Sequence, residues 1–156
     1  MSAFTNKIDE FLKLRKIAVT GVSSKKPDAA NMIFCKLRDL GISVFAVNPN
    51  AQEAEGATCH PNLSSLPSIP EGVIIASPPR SAQPIVEECL QLGIKHVWLH
   101  SSVNQGSYEQ GAVKFGEDHG LSVIHTGCPM MYYSPVDFGH KCMRWVLQLT
   151  GKIPRK

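Results

Sequence analysis

Five short segments carry side chains able to do chemistry, and each follows an apolar run. Gly21-Val22-Ser23-Ser24-Lys25-Lys26-Pro27 puts a glycine, two hydroxyls and two ammonium groups ahead of a helix signal. A glycine lets a ligand approach the backbone, the free N–H groups of a helix start attract an anion, and Lys25 and Lys26 add positive charge, so the segment suits phosphate oxygens. Asn48-Pro49-Asn50 closes the next run with amides. Ser77-Pro78-Pro79-Arg80-Ser81 sets a guanidinium beside two prolines, which lack donors and stiffen an apolar ledge for a planar ring. Segment 100–106, HSSVNQG, groups polar side chains around a turn. His125-Thr126-Gly127-Cys128-Pro129 places a thiol near an imidazole, where a lowered pKa would make it a nucleophile; the same cysteine also reads as a small buried hydrophobe.

Several classes fall away on spacing and charge. The five cysteines form an odd set without a C-x-x-C pair, and the six histidines show no H-E-x-x-H, so no metal motif is present. Reduced thiols of a cytoplasmic protein fit this usage best. A dinucleotide fingerprint G-x-G-x-x-G would need glycines where Ser23 and Lys26 stand, and the acid that holds a ribose at the end of the second strand is replaced by Asn48. Both departures argue against NAD. With 16 basic and 13 acidic residues dispersed along the chain, no nucleic-acid stripe is expected. The opening MSAFTNKIDEFLKLRK has no continuous apolar h-region and no later stretch approaches 18 apolar residues, so neither a signal peptide nor a membrane span is expected.

The elements that must hold these segments are visible in the periodicity. Nearly continuous Val/Ile runs at 16–22, 42–47, 72–76, 96–100 and 121–125 read as strands buried on both faces of a parallel sheet. Helical patterns lie between them: Met32, Ile33, Leu37 and Leu40 after Pro27-Asp28 and before Gly41; Ile85, Val86, Cys89, Leu90 and Leu92 before Gly93; and a glycine-weakened one over 105–118. A last helix is expected from Ser134 as N-cap, Pro135 at its first position and Asp137 as a capping box, with Phe138, Cys142, Trp145, Val146 and Leu149 as its buried stripe. Ile8, Phe11 and Leu12 predict a short amphipathic helix before the first strand, and Ala57 to His60 a short edge strand. The expectation is one α/β domain over 1–156, a doubly wound parallel sheet of five or six strands with helices on both faces. Ligands of such sheets lie beyond the carboxyl ends of the strands, where all five segments fall.

I-A-V-T-G-V-S after a short helix, A-V-N-P-N closing strand two, S-P-P-R, V-W-L-H-S-S and a terminal Gly-Cys-Pro together resemble the small CoA-binding domain proteins, and the N-terminal CoA-binding domain of the succinyl-CoA synthetase alpha subunit. The resemblance runs roughly from Lys16 to Met130 and implies a Rossmann-like fold. It also implies that coenzyme A or an acyl-CoA lies across the strand ends, contacted by Gly21, Val22, Ser23, Lys25 and Lys26, by Asn48 and Pro49, and by Pro78, Pro79 and Arg80. After Cys128 the sequence departs from the commonest family pattern, with Pro129-Met130-Met131-Tyr132-Tyr133 where a basic and acidic segment is usual. No counterpart of the synthetase's second, phosphohistidine-bearing domain is expected, so CoA binding without catalytic machinery is implied, not ligase activity. The partners expected are small-molecule CoA or acyl-CoA, with a homodimer or an enzyme partner left open, and no nucleic acid or membrane. Two alternatives stand beside this: an NAD(P)-dependent oxidoreductase, and a thiol enzyme using Cys128.

Overall fold

The structure, a computed structural model, describes residues 2–101 and 106–155. In chain order these form α1 (Ala3–Phe11), β1 (Lys16–Thr20), α2 (Ala29–Asp39), β2 (Ser43–Val47), β3 (Glu53–Ala54), β4 (Ala57–His60), β5 (Gly72–Ile75), α3 (Ala82–Leu92), β6 (His96–Leu99), α4 (Gln110–Asp118), β7 (Ser122–Ile124) and α5 (Phe138–Leu149). The strands make one sheet in the order β3-β4-β2-β1-β5-β6-β7. Six run parallel, as the apolar runs predict; β1 pairs with β2 from Lys16 opposite Ser43 to Thr20 opposite Val47, and with β5 on its other side. The expected edge strand is β4, parallel to β2. A turn at Glu55 and Gly56, both at positive φ, folds the two-residue β3 back on it antiparallel, which raises the sheet to seven strands.

Alternation along the buried strands splits the core into two layers. Ile17, Val19, Ile74, Trp98 and Ile124 pack with Ile8 and Phe11 of α1, Ile33, Phe34 and Leu37 of α2, and Leu147 of α5. Ala18, Val73, Ile75, Val97, Leu99 and Val123 face Val86 and Cys89 of α3 and Ala112 and Val113 of α4. Helices thus cover both faces, and none of the described helices is long and apolar enough to cross a membrane. The chain winds from β1 to β2 and β4, then returns to β5, β6 and β7, so β1 and β5 adjoin where the winding reverses.

The helix starts and faces differ in places from the sequence expectation. In α2 Met32 is 52% exposed, because the inward stripe runs through Ala30, Ile33, Phe34 and Leu37. Within the described residues α4 begins only at Gln110, where the Glu109 carboxylate accepts from the N–H groups of Gly111 and Ala112; position 105 lies outside them. The N-cap of α5 is Asp137, not Ser134: its carboxylate accepts from the His140 N–H at 3.0 Å and meets the His140 imidazole at 2.6 Å, two contacts at one cap. The expected stripe of α5 points outward, with Phe138, Cys142, Trp145, Val146 and Leu149 exposed. Leu147 fixes the helix rotation by inserting into the core while Arg144 stacks on Tyr132.

Candidate functional site

A cleft of about 450 Å³ opens at the carboxyl end of the sheet, at the reversal point between β1 and β5. Gly21 follows β1 at φ +89, and a Cβ there would lie 2.7 Å from the Ala76 carbonyl oxygen. The glycine thus lets the loops after β1 and β5 touch. Hydroxyls add to this: Thr20 Oγ1 at the end of β1 lies 2.8 Å from Ser77 Oγ, the Ser81 hydroxyl of the same loop as Ser77 donates to that Oγ at 2.7 Å, and the Ser107 hydroxyl, from the segment after β6, donates to the Ser77 carbonyl at 2.6 Å. Pro78 then leads through a single 3-10 turn, Pro79–Ser81, into α3.

Of the residues singled out in the sequence, Gly21, Asn48, Pro49, Pro78 and Arg80 line this cleft, and Val22, Ser23, Lys25, Lys26 and Pro79 do not. Val22 is wholly buried, its carbonyl accepting from the Asn48 amide at 2.8 Å. The Ser23 hydroxyl accepts from the N–H groups of Lys25 and Lys26, and Ser23 and Asn31 bond each other through backbone and amide. The two lysines stay exposed on that turn. The Asp28 carboxylate caps α2 by accepting from the Ala30 N–H, so a side chain already sits at the helix start read as an anion site. Asn48 is held at both ends of its amide, because its oxygen accepts from the Asn50 N–H at 2.8 Å.

The far wall was not read from sequence. Pro61, Asn62 and Leu63 enter because β4 runs parallel to β2, the Asn48 N–H donating to the His60 carbonyl at 2.9 Å. Applying the carboxyl-end rule to the short edge strand would have found them. Ile85 and Glu88 come from the first turns of α3, and the Glu88 carboxylate accepts from the Ser64 N–H and hydroxyl. Arg80 is the cation among the described lining residues, beside the carboxylates Asp28 and Glu88.

None of the described residues in the loops after β6 and β7 lines this cleft, although Ser107 bonds to Ser77 of its wall. Ser101 joins them, its hydroxyl accepting from the Gly127 N–H at 3.1 Å; positions 102 to 105 lie outside the described residues. Cys128 is 2% exposed, and burial pushes its thiol pKa up to about 12, the opposite of what a nucleophile needs. Cys128→Ser is therefore expected to leave binding of any ligand in the main cleft within about twofold of the parent, with titration calorimetry as the check; loss of binding with an intact circular dichroism spectrum would move the thiol into the primary site.

A doubly wound sheet with a cleft at its reversal point, closed by a glycine turn and a proline-arginine loop, defines the class of Rossmann-like α/β domains. Within that class the chain belongs to the CoA binding domain family, which matches residues 15–134. It is 26% identical over 118 residues to acetate–CoA ligase [ADP-forming] I of Archaeoglobus fulgidus, covering 72% of this chain and 17% of that one. It is 24% identical over 128 residues to the alpha subunit of acetate–CoA ligase [ADP-forming] II of Pyrococcus furiosus, covering 78% and 28% respectively. The chain thus spans well under a third of these curated relatives. A solved hypothetical protein from Pyrococcus horikoshii OT3 superposes with a TM-score of 0.76 at 28% identity, covering 87% of this chain and 92% of that one.

Proposed function

We propose that the protein binds coenzyme A or an acyl-CoA, with the nucleotide end in the cleft between the loops after β1, β2 and β5. The observation that carries this is the convergence of Gly21, Asn48, Pro49, Pro78 and Arg80 on one cavity at the reversal point. Pro78 offers an apolar ledge to the adenine, Arg80 a guanidinium to phosphate oxygens, and exposed Lys25 and Lys26 two flexible ammonium groups beside the same end of the sheet. The reading is of a binding module; because the matched region is a small part of the ligases it resembles, their reaction is not carried over to it. An NAD(P) oxidoreductase finds less support, since the Asn48 amide oxygen at the end of β2 is already engaged by the Asn50 N–H.

Titration with coenzyme A, dephospho-CoA and NAD tests the assignment. CoA is expected to bind most tightly, because its 3′-phosphate adds charge that the other two lack. Arg80→Ala is expected to weaken CoA binding by roughly 10- to 100-fold, the worth of one charge-assisted hydrogen bond of about 1.5–3 kcal/mol. The same range is expected for whichever of Lys25→Ala and Lys26→Ala removes a phosphate contact, with little change in the other. NAD binding more tightly than CoA would reverse the assignment.

A further inference from the structure

Helices α1 to α4 each bury a set of side chains against the sheet, whereas α5 buries Leu147 alone. Phe138, Cys142, Trp145 and Leu149 recur at helical spacing along its outer face, and Phe138 is 82% exposed. Large apolar groups gathered in water mark an interaction surface. Since α5 lies beyond residues 15–134, which match the CoA binding domain family, this face is no part of that framework. The charge around it is one-sided. Residues 119–156 hold five basic side chains and one acid, Asp137, which is already engaged by His140. No described carboxylate lies within ion-pair distance of Lys141, Arg144, Lys152 or Arg155. Arg144 and Arg155 flank Trp145 and Leu149 in an open groove of about 490 Å³, so two guanidiniums stand beside an indole and an aliphatic side chain.

We propose that α5 docks the protein onto an anionic phospholipid surface. Phe138, Trp145 and Leu149 enter the boundary of the acyl chains, while Lys141, Arg144, Lys152 and Arg155 meet headgroup phosphates. The inference is independent of the CoA reading of the main cleft. Opposite charge selects the occupant: a second copy would set these cations against their own kind, which works against self-pairing. A protein groove would also have to match the ridge of side chains in shape, whereas a bilayer interface needs no such match and takes aromatic rings at headgroup level. The stems of the basic residues can run along the apolar stripe with their charged heads in the polar layer. At 12 residues α5 is about 18 Å long, too short for a hydrocarbon core of about 30 Å, but a helix lying on the surface needs no span.

The full chain is mixed with vesicles of phosphatidylcholine alone and of phosphatidylcholine and phosphatidylglycerol in equal parts. It is expected to sediment with the mixed vesicles and not with the neutral ones, and to be released as salt is raised. Trp98 is already buried, so a shift of tryptophan emission to shorter wavelength on binding reports Trp145. Lys152→Gln combined with Arg155→Gln is expected to weaken binding roughly 30-fold, about fivefold for each cation. Phe138→Ser is expected to weaken it roughly 10- to 100-fold. All three positions are exposed, so the circular dichroism spectrum of each variant is expected to match the parent's. No binding to the mixed vesicles, equal binding to the two compositions, or parent affinity in both variants overturns the proposal. A dimer that Phe138→Ser dissociates, or binding to polyglutamate in place of the mixed vesicles, gives the face to a second copy or to an acidic protein and likewise overturns it.

Discussion

Trp98→Ala is expected to lower the unfolding free energy by about 3–5 kcal/mol, while Trp145→Ala changes it by less than about 0.5 kcal/mol. The chain has only these two tryptophans, and both lie in apolar sequence. Trp98 is fully buried at the centre of the larger core layer, edge-on to Phe11 with ring centroids 5.3 Å apart and tilted 5.6 Å from Tyr132. Its indole N–H donates to the Gly127 carbonyl at 3.1 Å, so truncation leaves a cavity and also removes one of the two hydrogen bonds that carbonyl accepts, the other coming from the Ser101 N–H at 3.2 Å. Trp145 is 62% exposed and removes little from water. Denaturant unfolding followed by far-ultraviolet circular dichroism reads both variants without depending on tryptophan emission. A loss at position 145 matching that at 98 would mean that the outer stripe of α5 is packed in solution.

That contrast shows where periodicity informs and where it does not. Strands buried on both faces are read well because every residue in them is apolar: Val73, Ile74 and Ile75 divide between the two core layers, so no choice of face has to be made. A surface helix needs such a choice. In α5 the larger apolar set, Phe138 to Leu149, lies outside, and the inward face is set by Leu147 together with the Arg144 stack on Tyr132, contacts to distant chain that no local pattern encodes. The same helix is capped three positions later than expected, because the Asp137 carboxylate accepts from the His140 N–H and meets its imidazole as well, a pairing that spacing alone does not reveal.

The site divides along a similar line. As lining of the cleft, Gly21, Asn48, Pro49, Pro78 and Arg80 are legible because the position after a parallel strand is a geometric property of the fold. Asn62 and Glu88 are not, because their presence depends on how β4 and α3 close the cleft, and Asp28 enters as the N-cap of α2. Ser23 shows the converse: a hydroxyl in a loop rich in donors satisfied its own turn, through the N–H groups of Lys25 and Lys26.

Gly21→Ala joins fold and site in one substitution. The residue sits at φ +89, where a side chain is strained by about 1–2 kcal/mol, and its new Cβ would lie 2.7 Å from the Ala76 oxygen and 3.0 Å from Ser77 Cα. Both obstacles are backbone, so no rotamer change relieves them, and forcing β1 and β5 apart adds about 1–3 kcal/mol of overpacking. A total destabilisation of about 2–5 kcal/mol is expected, a large part of the 5–15 kcal/mol typical of a domain. Relief requires the Ser77-Pro78 segment to move away from β1, which shifts Arg80 from the cleft wall it shares with Asn48. CoA affinity is therefore expected to fall about as far as in Arg80→Ala, but here together with stability, whereas Arg80→Ala, at an exposed side chain, should spare it. Measuring both quantities for both variants decides the point: if Gly21→Ala folds as stably as the parent, the contact between the two loops does not set the cleft, and if it is destabilised yet binds CoA normally, the nucleotide does not lie between them.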